Sequence, residues 1–270
     1  MDNRPVGIFD SGFGGLTALA ALRTLLPDEN IIFFADSARA PYGSRSVGEL
    51  RGIARQDLDF TASFGVKAII AACGTVSANA PDVIAGYEVP AVGVLEESVR
   101  AMSLLPGNAP LGVIATAASI KSGMFEKKLR ALCPGREIVA VPCPDFVTLI
   151  ESGHFAPADE AVKAAVETYL RPMKDAGIGV LLLGCTHYGL IGEAIKNYLG
   201  EDTVLVSAAE CAAASVCRML VERGMTGTGG KTEFYTSGSG PEFDAKASLM
   251  LGRRIEGAVH VPVMEVPAEA

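Results

Sequence analysis

The chain has 270 residues, 49% of them hydrophobic, with a mean hydropathy of +0.33; this excludes a disordered chain and allows one large domain or two modest ones. Trp is absent and aromatics make up only 6%, so the core must come mainly from Ala, Val, Ile and Leu, as in parallel strands covered by helices on both faces. A formal net charge of −8 repels phosphate backbones and argues against nucleic acid as a main partner.

The opening "MDNRPVGIFD" runs straight into a strand-like stretch without the long apolar segment of a secretion signal, and nothing later approaches a membrane-spanning length. The expectation is a cytoplasmic protein with no membrane partner. Strands are expected over 6–10, 31–36, 67–73 and 91–95, with helices over 16–26, 47–64 and 75–87 between them. The pattern resumes with strands over 111–116, 138–144, 178–185 and 203–208. After the flexible turn "TGTGGK" (226–231) come a last strand over 232–238 and a helix over 241–252. Strand–helix alternation of this kind implies parallel sheets with right-handed crossovers.

An internal echo divides the chain. "PVGIFDS" starts at residue 5 and "PLGVIAT" at 110, while "AACGT" and "LLGCT" place their thiols at 73 and 185, a similar offset. The expected fold is therefore α/β with two pseudosymmetric lobes, each a parallel sheet flanked by helices, and an active site between them. The first lobe takes residues 1–98 plus 208–270 and the second 99–207.

In open parallel sheets, ligands gather beyond the carboxyl ends of the strands. Those ends carry Asp10-Ser11, Asp36-Ser37, Cys73-Gly74-Thr75, Thr116 and Cys185-Thr186-His187. Asp, Ser and Thr also cap helices, but Cys is a poor cap, so two thiols at equivalent ends ask for another explanation. The turn "DSGFGGLTAL" lacks the third glycine of a dinucleotide fingerprint because position 17 is Thr, although Asp36 sits where a ribose-binding acid would. Zinc held by Cys73, Cys185, His187 and an acid lacks the usual ligand spacing. A Cys185/His187 nucleophile pair for hydrolysis would leave Cys73 unused. Two thiols facing each other across a cleft suit inversion of a carbon centre, one removing a proton from one face while the other delivers a proton to the opposite face. Strand-end hydroxyls and backbone N–H groups would hold the carboxylates of a substrate and stabilise the developing charge. Cys133, Cys143, Cys211 and Cys217 are assigned to packing, because none is expected to follow a strand into a helix start with polar company; His154 and His260 are read as surface or loop residues.

"IFDSGFGGLTAL", "FFADSARAPYGSRS", "AACGT", "IKSG" and "LLLGCTHYGLI" together resemble the glutamate racemases of the aspartate/glutamate racemase family, in order and across nearly the whole chain. The resemblance implies cofactor-independent, two-base interconversion of L- and D-glutamate, supplying D-glutamate for peptidoglycan, with no metal. It implies Cys73 and Cys185 as the paired acid/base thiols, with Asp10 assisting Cys73 and His187 assisting Cys185. Substrate contacts would come from Asp10, Ser11, Tyr42, Gly43, Gly74, Thr75, Thr186 and His187, with Glu151, Asp36 and Thr116 auxiliary. Glutamate would be the small-molecule partner, and a homodimer fits two-lobed enzymes of this kind. The chain departs from the family's usual C-N-T at Gly74, from its Pro after C-T-H-Y at Gly189, and from G-T-x-x-T in "ATAAS" (115–119). The alternatives are a racemase or decarboxylase of the same superfamily acting on another acid such as aspartate, and a catalytically lapsed homologue that binds an acidic metabolite.

Overall fold

Short apolar runs and amphipathic stretches alternate in the computed structural model, which describes residues 1–266. β1 (Val6–Asp10), α1 (Leu16–Leu25), β2 (Ile31–Ala35), α2 (Val47–Ala62), β3 (Ala68–Ala71), α3 (Gly74–Asn79), α4 (Pro81–Ala85) and β4 (Ala91–Gly93) come first. α5 (Val94–Ser103), β5 (Leu111–Ala115), α6 (Ala117–Lys121), α7 (Met124–Leu132), β6 (Ile138–Pro142), α8 (Pro144–Glu151), α9 (Glu160–Asp175), β7 (Val180–Leu183), α10 (Gly192–Leu199) and β8 (Val204–Ser207) follow. α11 (Ala208–Glu222), β9 (Thr232–Thr236), α12 (Gly240–Leu251) and β10 (Val259–His260) complete the order. The helix expected over 75–87 is two helices: Ala80 leaves the helical region at φ −134°, ψ 42°, and Pro81, which has no N–H to continue the ladder, opens α4. The strand expected over 91–95 stops at Gly93, where Val94 turns into α5 with Glu96 and Glu97 in its first turn.

All strands are parallel. The larger sheet has the order β10-β9-β2-β1-β3-β4 and the smaller one β6-β5-β7-β8. Counted from β1 and from β5, both contain the order second–first–third–fourth, so the sequence echo is a repeat of topology. Cys73 follows the third strand of one repeat and Cys185 the third strand of the other.

Each sheet has an inner and an outer apolar face, as sheets buried on both sides require. Ile8, Ile70, Val113 and Leu182 point inward to one continuous core shared with α1, α5 and α11. Ala208, Ala209, Ala212 and Ala213 keep α11 thin enough to lie close in that layer. The outer face of the larger sheet is covered by α2, α3 and α4, and that of the smaller sheet by α8, α9 and α10. Among the described residues, no helix is long and apolar enough to cross a membrane.

Below the amino ends of the strands, Lys67 and Glu29 form an ion pair of 2.8 Å with both side chains at most 1% exposed. Lys67 Nζ also donates to the carbonyls of Asp2 (2.6 Å) and Met225 (2.7 Å), tying both chain segments to the sheet. Breaking such a pair strands a buried charge. Lys67→Met should cost about 3–5 kcal/mol in urea unfolding, and adding Glu29→Gln should recover part of that loss.

Candidate active site

The β1–β3 register pairs Phe9 with Ala71, and the β5–β7 register pairs Ile114 with Leu183. Carried two residues further, these registers set Ser11 beside Cys73 and Thr116 beside Cys185. Both thiols therefore emerge at the same level, each at the carboxyl end of its own sheet. The two turns also touch. A Cβ placed on Gly74 would lie 2.4 Å from the carbonyl oxygen of Gly184 and 3.9 Å from Cys185 Cα, so only glycine permits this backbone approach. Thr75 Oγ1 and Thr116 Oγ1 share a hydrogen bond of 3.1 Å, and Thr17 Oγ1 donates to the Thr186 carbonyl at 2.9 Å. Gly14 has the same role on another side, since a Cβ there would fall 2.4 Å from both Thr186 Oγ1 and His187 Nδ1.

These contacts enclose a cavity of about 690 Å³ lined by Asp10, Ser11, Tyr42, Gly43, Cys73, Gly74, Thr75, Thr116, Glu151, Cys185, Thr186 and His187, among others. Every site residue expected from sequence is there except Asp36. Asp36 is fully buried behind Tyr42, where it accepts hydrogen bonds from the Tyr42 hydroxyl, from Arg39 Nε (2.6 Å) and from Ser237 Oγ (2.7 Å). Asp57 completes this network, 3.0 Å from Tyr42 and 2.8 Å from Arg39. Burial and the neighbouring Asp36 push Asp57 well above the usual carboxylate range. The network holds the tyrosine that faces the cavity.

Among the residues not foreseen are Lys246 on α12 and Pro144, Val147, Thr148 and Ser152 on or beside α8. The signal for α8 was present: Cys143 does follow a strand into a helix start, contrary to its dismissal on that ground, and the helix it leads carries Glu151. The Cys143 thiol itself is buried outside the lining residues, and its carbonyl accepts from Tyr188. Lys246 belongs to no motif, and only the docking of α12 brings it to the cavity.

The two thiols meet different electrostatics. Burial pushes Cys73 up to about 12, with Asp10 adding to the effect and Ser11 opposing it. Its Sγ donates to Ser11 Oγ at 3.4 Å. At neutral pH Cys73 is thus a neutral thiol. Cys185 Sγ lies 3.7 Å from His187 Nδ1, and His187 Nε2 lies 3.0 Å from Glu151 Oε1. Burial alone would lower the His187 pKa, but Cys185 and Glu151 outweigh it and raise the ring to about 10. Burial opposes the Glu151 charge, yet His187 and Lys246 hold its carboxyl below the usual range. Asp10 is raised by burial, with His187 pulling the other way. The arrangement can hold one thiol protonated while giving a thiolate on the other a counter-charge. Among the described residues, no group of three or more His, Cys, Asp or Glu side chains has the geometry to hold a metal ion.

Known proteins resemble this chain over nearly its whole length. The profile of the Asp/Glu/Hydantoin racemase family matches residues 17–216. A glutamate racemase of Thermoanaerobacter pseudethanolicus is 37% identical over 267 residues, covering 97% of this chain and 99% of that protein. Among solved structures, glutamate racemase from Francisella tularensis in complex with D-glutamate superposes with a TM-score of 0.87 at 34% identity, covering 97% and 98% of the two chains. Glutamate racemase from Thermus thermophilus in complex with beta-chloro-D-alanine gives 0.86 at 36% identity, covering 98% and 100%. Over nearly its whole length the chain is thus similar to isomerases that act on amino acids. The chain belongs to the aspartate/glutamate racemase family.

Two outcomes test the site's construction. Gly74→Ala should cost about 1–3 kcal/mol in stability, because the atom its Cβ meets is backbone that cannot rotate away. His187, charged at neutral pH, contributes stability that is complete below its ordinary value of 6.5 and is lost as pH rises through about 10. NMR titration should therefore find the imidazole protonated at pH 8, and Glu151→Gln, by removing a partner that raises it, should lower the ring's pKa.

Proposed function

We propose that the chain interconverts L- and D-glutamate without a cofactor, using Cys73 and Cys185 as the two acid/base groups. The observation that carries this is the pair of thiols at topologically equivalent strand ends, opening into one cavity with opposite electrostatic surroundings. Glutamate as substrate is supported by the names of the relatives and by the D-glutamate in the Francisella structure. Cys185 as thiolate, opposite the His187 cation, takes the α-hydrogen from one face while the Cys73 thiol delivers a proton to the other. That exchange leaves Cys185 as the thiol and Cys73 as the thiolate, with Asp10 assisting Cys73, and the reverse reaction runs from this state with the two roles exchanged. Ser11, Thr75, Thr116 and Thr186 offer hydroxyls, and the turns offer backbone N–H groups, for the two carboxylates. Tyr42 and Gly43 close the wall held by the Asp36 network.

The proposed lobes are residues 1–98 with 208–270, and 99–207, of which 267–270 lie outside the described residues. The product D-glutamate would serve peptidoglycan assembly in the cytoplasm, as the resemblance implies.

Proton transfer by a placed side chain contributes about 10²–10⁴-fold. Cys73→Ala and Cys185→Ala should each lower glutamate racemisation by that factor or more, followed by polarimetry, with L-aspartate giving no comparable turnover in the wild type. Near-normal racemisation by either single variant would refute the two-base assignment, and preferred turnover of aspartate would refute the substrate.

A further inference from the structure

Lys246 is the only lysine or arginine among the described residues lining the cavity, and no sequence motif points to it. Its helix is docked by Phe243, which packs on Phe13, Phe33 and Phe234 with ring centroids 5.6–5.9 Å apart. One turn later on the same face, Lys246 extends along the Phe13 ring, with Nζ 4.6 Å from its centroid. Glu242, four residues earlier, lies 3.1 Å from Nζ. The third contact crosses the cleft: Nζ stands 3.6 Å from Glu151 Oε2, on the helix that follows β6. Glu151 uses its other oxygen, Oε1, for His187 Nε2.

We infer that Lys246 is a positioning residue: it holds one oxygen of Glu151 from the opposite lobe, so that the other stays on His187 and His187 stays aligned with Cys185. This role rests on the two-thiol reaction proposed above. Four side chains then form one line, Lys246–Glu151–His187–Cys185. Only the lysine comes from the chain that returns to the larger sheet. The alignment of the Cys185 half-site therefore depends on the cleft being closed at this edge. The ammonium acts through Glu151 rather than on the substrate, because two carboxylates and an aromatic face already surround it.

The test is Lys246→Met beside Lys246→Arg in the full chain, with glutamate as substrate. Nζ is partly exposed, so the expected loss is modest, about three- to fivefold in kcat for the Met variant with KM little changed. The loss in kcat/KM must be equal in both directions, since the enantiomers have equal free energy. Lys246→Arg should recover most of it. The ¹⁵N-bound Nε2 proton of His187, protected by Glu151 in the wild type, should exchange with water faster in Lys246→Met. A raised KM with unchanged kcat would overturn the proposal by making Lys246 a direct substrate contact. Unchanged kinetics, failure of the Arg rescue, or unchanged His187 proton exchange would overturn it as well. Should the wild type prove inactive on glutamate, the substrate assignment fails by itself, while the His187 exchange comparison still decides the role of Lys246.

Discussion

The turn after β3 and the turn after β7 meet backbone to backbone, Gly74 against the Gly184 carbonyl, and the layout of the cavity rests on that approach. Strand order alone would place each thiol at the end of its own sheet. Contact between the turns places both in one cavity, and the Thr75–Thr116 and Thr17–Thr186 hydrogen bonds fix the approach from two sides. A repeated sheet topology supplies the equivalence of the thiols, and in this chain the missing side chain at residue 74 lets the two turns meet backbone to backbone.

Burial then separates what the topology made alike. A pair of charges 4 Å apart gains about 1 kcal/mol in water and about 4 kcal/mol at an effective dielectric of 20. In a buried site, the groups placed beside each thiol therefore carry weight. Cys73 has an acid and a hydroxyl beside it and keeps its proton. Cys185 has an imidazolium braced by a carboxylate. A reaction that takes a proton from one face and supplies one to the other requires one thiol with its proton and one without, and the two exchange these states with the direction of turnover.

Much of this was legible in the sequence because strands buried on both faces are written as unbroken aliphatic runs, and polar residues at their ends stand out against them. "PVGIFDS" and "PLGVIAT" became the first strands of two sheets that share a four-strand order. The split of the helix after Cys73 was signalled by Pro81, and the early end of β4 by the acidic residues after it. Asp36 was misplaced because a strand-end carboxylate looks the same whether it faces a ligand or supports the residue that does; a buried arginine three residues on decides between them. Lys246 was invisible because its position follows from aromatic docking of α12, a contact between segments more than two hundred residues apart.

The central claim is that sulfurs from the two repeats flank a single stereocentre. A crystal structure with D-glutamate bound tests it most directly. The account predicts the substrate Cα between Cys73 Sγ and Cys185 Sγ, on a line running from face to face, with both near attack distance. Both sulfurs on one face of the substrate, or either one turned out of the cavity, would contradict it.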